Sequence, residues 1–204
     1  MIKIIKIKNS VILIAILFCG ISCDKSNVKE NQSINKSPEI SNKIQQKPPK
    51  KSKVVSTSSV VAPNFILSNL EGKEVTLYEM KGKVIILNFW ATWCGPCRQE
   101  IPAFNRLYEK YKDDGLEIVG VTIQSGSNQA IQNFSDKFKI NYNLLTGIKG
   151  GEPEETFFEY GRATGTGARA VPTTYIIDRD GYVVKSYKGA RPENVFYEDI
   201  KPYL

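Results

Sequence analysis

The chain has 204 residues, 41% hydrophobic and 24% charged, enough for one domain with a core of its own and short for two. Its formal charge of +7 would suit a nucleic-acid binder, but the excess is misplaced for that. Residues 1–23 carry +3, residues 24–59 carry +5 and residues 60–204 carry −1, which excludes a basic groove for phosphates on the folded body and a nucleic-acid partner with it.

The first 23 residues, "MIKIIKIKNSVILIAILFCGISC", place three lysines before an apolar run and small residues near Cys23. That is the layout of a secretory signal peptide. As a helix, the run to Ile21 would cover only about 15 Å, roughly half the hydrocarbon thickness, which argues against a permanent span. The following stretch, from Asp24 to Ser59, is dominated by Lys, Asn, Ser, Gln and Pro. Such a composition buries too little apolar area to offset its ordering entropy and is expected to be a disordered tether. As a random coil it would reach roughly 30–36 Å.

A folded body is expected over residues 60–204. "VVAPNFILSNLEGKEVTLYEM" reads as two short strands about a turn at Gly72, and the apolar run Val84 to Trp90 as a central strand covered on both faces. After the pair Cys94 and Cys97, apolar residues at Ile101, Phe104, Leu107, Tyr108 and Tyr111 recur at helical spacing, stopping near Gly115. Leu116 to Ile123 reads as a second buried strand, and "SNQAIQNFSDKFKI" as a helix opened by Ser127 or Asn128. Asn141 to Gly147 is a short strand or loop. Glu152 to Gly161 is a helix with acids in its first turn, where the dipole favours them. Thr173 to Gly189 is a hairpin about Asp180-Gly181, and Pro192 opens a last helix. The order predicts an α/β fold, a mixed sheet with helices on both faces.

The cysteine pair carries the chemistry. Cys94 falls at a strand-to-helix turn, near the N-cap, where unpaired backbone N–H groups and the helix dipole favour a thiolate. Cys97, one turn on, can reach back within disulfide geometry. The segment thus holds an attacking and a resolving sulfur. Two other readings stay open. A closed zinc site needs four ligands, and the chain contains no histidine. A two-thiolate copper or zinc-handling site is chemically possible. A purely structural bond would close so short a loop that it would constrain the unfolded chain little.

"NFWATWCGPCRQEIP" (Asn88 to Pro102), together with "PNFILSNLEGKEVTL" before it and "VPTTYIIDRDG" after it, resembles the TlpA/ResA branch of the thioredoxin-like proteins. The resemblance covers residues 60–204. It implies a thioredoxin fold with an N-terminal β extension and a central helical insertion. It also implies dithiol–disulfide exchange outside the cytoplasm, most often as a reductant, as in cytochrome c maturation. No cofactor and no metal are implied. By the same resemblance Cys94 matches the attacking thiol, Cys97 the resolving one, and Pro172 a cis-proline lying against the sulfurs. Val171 would then offer its backbone to a substrate peptide, and Trp93 would shield the sulfurs and offer an apolar contact. Trp90 is expected in the core.

Where thioredoxin has a buried aspartate, this chain has Asn88, which takes no proton. Glu100 lies on the helical face of Cys97, and the TlpA/ResA branch carries a glutamate there. Its pKa would rise beside the sulfurs, suiting it to relay a proton; the other reading is an exposed helix carboxylate. "GRATGTGARA" (Gly161 to Ala170) is a glycine-rich connector that either shapes substrate choice or is only a loose loop.

"CGISC" resembles a bacterial lipobox, with residues 1–22 removed and lipid added to Cys23, although Gly20 replaces the usual branched residue. A plain secreted product is the other outcome. The expected partners are therefore a disulfide-containing protein substrate, a membrane protein that returns electrons, and membrane lipid at the anchor.

Overall fold

The computed structural model describes residues 60–148, 152–167 and 169–204. The expected signal peptide, Cys23 and the tether lie outside the described residues. Among the described residues fourteen elements follow one another. They begin with β1 (Val60–Val61), β2 (Ile66–Asn69), β3 (Glu74–Thr76) and a 3-10 turn (Leu77–Met80). Next come β4 (Val84–Trp90), α1 (Gly95–Tyr111), β5 (Leu116–Thr122), α2 (Asn128–Phe138), β6 (Asn143–Thr146) and α3 (Glu152–Ala163). The hairpin β7 (Thr173–Ile177) and β8 (Tyr182–Lys188), then α4 (Glu193–Ile200) and a 3-10 turn (Lys201–Tyr203), complete the chain.

The strands form one mixed sheet in the order β1-β8-β7-β4-β5-β6-β2-β3. β4 pairs parallel with β5 and antiparallel with β7. All seven of its residues are buried, as a continuous apolar run requires when both faces are covered. Its side chains alternate between two cores. Ile85, Leu87 and Phe89 pack with Phe157 and Tyr160 of α3. Val84, Ile86 and Trp90 pack with Phe104 and Leu107 of α1, Ile131 of α2, and Phe196 and Ile200 of α4. Helices thus cover both faces, α3 on one and α1, α2 and α4 on the other.

The expected elements are present, with three refinements. β1 is a two-residue edge strand against Tyr182 and Val183, a pairing too short to leave a pattern. Pro192 is the N-cap of α4 rather than its first residue. Pro102 sits inside α1, where it removes one backbone hydrogen bond; the burial of Ile101, Phe104 and Leu107 carries the helix through it.

Gly181 and Gly120 are among the glycines that geometry requires. Gly181 takes φ +88° in the hairpin turn. At Gly120, mid-strand in β5, a Cβ would come within 2.8 Å of Leu144 Cδ2 and 2.9 Å of Trp90 Nε1.

Candidate active site

β4 delivers the chain at Trp90 to a short loop that turns into α1. Cys94 is the N-cap, with extended backbone angles, φ −78° and ψ 111°. Its Sγ accepts the Cys97 backbone N–H at 3.2 Å, satisfying one of the orphan donors at the start of the helix. Cys94 and Cys97 are joined as a disulfide, Cα atoms 5.3 Å apart. Both are buried in the core under α1, where apolar surroundings oppose the thiolate and the helix start favours it.

The Val171–Pro172 peptide is cis, as the resemblance implied. The Val171 carbonyl oxygen lies 3.7 Å from Cys94 Sγ, so the proline loop faces that sulfur from just before the start of β7. Thr173 Oγ1 donates to the Ala170 carbonyl at 2.7 Å and Gly189 N–H to the Pro172 carbonyl at 2.8 Å, which fixes the loop on both sides.

Trp93 stands 60% exposed beside the disulfide, its Nε1 donating to the Gln124 carbonyl at 3.0 Å. Trp90 is buried, as expected. The sequence alone does not single out the Gln124 loop. It follows β5, holds Gln124 at φ 45°, and supplies Ser125 Oγ as acceptor for the Thr92 N–H at 3.1 Å. The Ser- and Gly-rich run "QSGS" at the end of a buried strand was the available signal.

Glu100 is 2% exposed, so the exposed-carboxylate reading does not hold. Its Oε1 accepts the Arg191 backbone N–H at 2.8 Å, and its Oε2 has no hydrogen-bond partner. Burial pushes its carboxyl up from 4.5 to about 7, against the opposing pull of the Arg191 hydrogen bond and charge. Asn88 is buried on the same face of β4 as Ile86 and Trp90, its Nδ2 donating to Thr174 Oγ1 at 2.9 Å.

The Gly161 to Ala170 connector is not wholly loose. Thr164 and Thr166 hydroxyls lie 3.0 Å apart, and Thr166 Oγ1 is 2.8 Å from the Tyr175 hydroxyl on β7. Ala168 lies outside the described residues. Among the described residues no group of three or more Cys, Asp or Glu side chains converges as a metal site.

A family model described as the AhpC/TSA family matches residues 59–186. The thiol-disulfide oxidoreductase ResA of Bacillus thuringiensis subsp. konkukian is 37% identical over 140 residues, 69% of this chain and 75% of that protein. The chain belongs to the ResA-like thiol-disulfide oxidoreductases. The ResA protein of Bacillus subtilis is 33% identical over 137 residues, covering 67% of this chain and 70% of its own length. Among solved structures, a thiol:disulfide interchange protein of the thioredoxin family from Chlorobium tepidum superposes with TM-score 0.63. It is 28% identical and covers 73% of this chain and 99% of the other. The fold is therefore thioredoxin-like, and the ResA-like disulfide sits on the helix start that this fold provides.

Proposed function

We propose that this ResA-like oxidoreductase reduces protein disulfides outside the cytoplasm, serving cytochrome c maturation among other substrates. The observation that carries the reading is the placement of Cys94 Sγ, which accepts a helix-start N–H and faces the Val171 carbonyl beside the exposed Trp93.

In the reduced enzyme the Cys94 thiolate attacks one sulfur of a substrate disulfide. A Cys94–substrate bond forms and the other substrate sulfur leaves as a thiolate. Cys97 gives its proton to the Glu100 carboxylate and attacks Cys94 Sγ. The mixed bond breaks, the second substrate sulfur leaves, and the Cys94–Cys97 disulfide forms. Two electrons pass to the substrate; one of its thiolates takes the proton that Glu100 received from Cys97, and the other takes one from water. Trp93 and the Val171–Pro172 backbone hold the substrate chain against Cys94, the backbone as a short added strand. The oxidised enzyme is then re-reduced by a membrane protein carrying electrons outward. A lipid on Cys23 with the tether behind it would keep the domain near that donor. Among the described residues no helix is long and apolar enough to cross a membrane.

Trapping tests this reading. Cys97→Ser should accumulate covalent mixed disulfides through Cys94 in cells, and Cys94→Ser far fewer. Equal trapping by the two, or stoichiometric copper binding without reductase activity on insulin, would instead favour metal handling by the pair.

A further inference from the structure

The turn between β8 and α4 touches the site at two places. Gly189 N–H donates to the Pro172 carbonyl at 2.8 Å, and Arg191 N–H donates to Glu100 Oε1 at 2.8 Å. One three-residue segment therefore ties the proline loop, which faces Cys94, to the carboxylate on the helical face of Cys97. What holds that segment is the Arg191 side chain. Its Nη1 donates back to the Ala190 carbonyl at 2.8 Å and the Gly189 carbonyl at 3.3 Å. Its guanidinium lies over the Tyr187 ring, 5.4 Å from the centroid. That ring is itself anchored, its hydroxyl bonded to Asp199 and its edge packed against Phe196 of α4.

We propose that Arg191 is a positioning residue for disulfide exchange: by folding onto its own turn it aims its backbone N–H at Glu100 and locks the proline loop to the same brace. The guanidinium touches neither sulfur nor the carboxylate, so its action runs through the turn and through its charge. The proposal rests on the reading of Glu100 as the proton acceptor for Cys97. The groups that interact with Glu100 are Tyr142 from the approach to β6 and Arg191 from the β8–α4 turn, and Cys97 lies three residues back on its own helix. Tyr142 is a neutral phenol held well above its ordinary value, first by burial and then by the Glu100 charge. Arg191 is the cation of this set. Its positive charge and the N–H it aims both favour the ionised carboxylate, in opposition to burial. Without them the carboxyl would hold its proton to higher pH and accept one from Cys97 over a narrower range.

The test uses the full chain with Arg191→Met and Arg191→Lys, each made alone and with Glu100→Gln. Two quantities are read: the Glu100 carboxyl titration by carbon-13 NMR in the oxidised protein, and the pH profile of mixed-disulfide resolution with oxidised glutathione as probe. Arg191→Met should move the Glu100 titration upward by about half a unit or more, and the resolution profile with it. Arg191→Lys, which keeps the charge and loses the fork, should recover part of both shifts. Combined with Glu100→Gln, Arg191→Met should add no shift of its own. A Glu100→Gln profile superimposable on wild type would overturn the relay reading and the positioning role with it. If Glu100→Gln alters the profile while Arg191→Met leaves both quantities at their wild-type values, the positioning role alone is overturned. It is overturned as well if the shift caused by Arg191→Met persists undiminished beside Glu100→Gln.

Discussion

Glu100→Gln should make the oxidised protein about 1 kcal/mol less stable at acid pH and about 2 kcal/mol more stable above pH 7. The carboxyl is 2% exposed, makes one hydrogen bond, and has one oxygen without a partner. Burial raises its pKa from 4.5 to about 7, so between those values the native state holds a proton that the unfolded chain has released. Stability contributed by this group is therefore fully present below pH 4.5 and falls as pH rises through about 7. At about 1.36 kcal/mol per unit, wild type should lose about 3 kcal/mol from this group across that window. Glutamine keeps the shape and an acceptor for the Arg191 N–H, but does not titrate. Its buried amide adds a penalty of about 1 kcal/mol that is the same at every pH, so the slope is diagnostic rather than the offset. Urea unfolding of the two oxidised proteins from pH 4 to pH 8 gives that slope directly, since the cysteines are then bonded and do not titrate. Parallel stability curves over that range would refute a native carboxyl with a raised pKa.

Three further outcomes follow from sequence and structure. Gly95-Pro96 between the cysteines is the pair found in thioredoxin, so a glutathione-buffer titration should place the midpoint nearer about −270 mV than about −120 mV; a value at the oxidising end would count against a reductant. Gly120→Ala should destabilise the fold by about 1–3 kcal/mol, because the new Cβ would press on the packed Trp90 and Leu144. Urea unfolding measures this, and a loss under about 0.5 kcal/mol would show that the packing yields. Cys23→Ser should release the protein from membranes with the domain still folded, and unchanged association together with an unshifted N-terminal mass would end the lipoprotein reading.

What the sequence disclosed was the local part. Val84 to Trp90 shows its burial because a strand covered on both faces needs no polar alternation, and β4 is buried throughout. Cys94 shows its place at the helix start because the strand ends and the helix begins around it. Glycine at the Asp180-Gly181 turn shows the hairpin because the turn needs its positive φ. The long-range part was hidden. The Arg191 donor to Glu100 is a backbone N–H 91 residues away, and a backbone group has no side-chain signature. The Gln124 carbonyl that takes the Trp93 indole N–H is hidden for the same reason. β1 is legible only through its partner β8, since two residues carry no period. Pro102 points the other way: read locally it argues against a helix that tertiary packing nevertheless maintains.

Two buried glutamates bear on the proposal that Glu100 serves the exchange reaction rather than the fold. Glu117 on β5 is 4% exposed, and both its oxygens are satisfied, Oε2 by Lys83 Nζ at 2.7 Å and Oε1 by Asn143 Nδ2 at 2.6 Å. That is how a fold holds a buried acid when the acid serves the fold. Glu100, equally buried, receives one backbone N–H and leaves Oε2 without a partner. A leucine or methionine there would remove the desolvation penalty at little loss of packing. Asn88 completes the contrast. By the sequence resemblance it stands where thioredoxin has its buried aspartate, and its amide donates to Thr174 Oγ1 across the sheet. With that strand position neutral, the proposed relay takes its proton acceptor for Cys97 from elsewhere. The half-satisfied carboxyl on the helical face of Cys97 is the buried group whose pKa, about 7, lets it both take a proton and give it back near neutral pH.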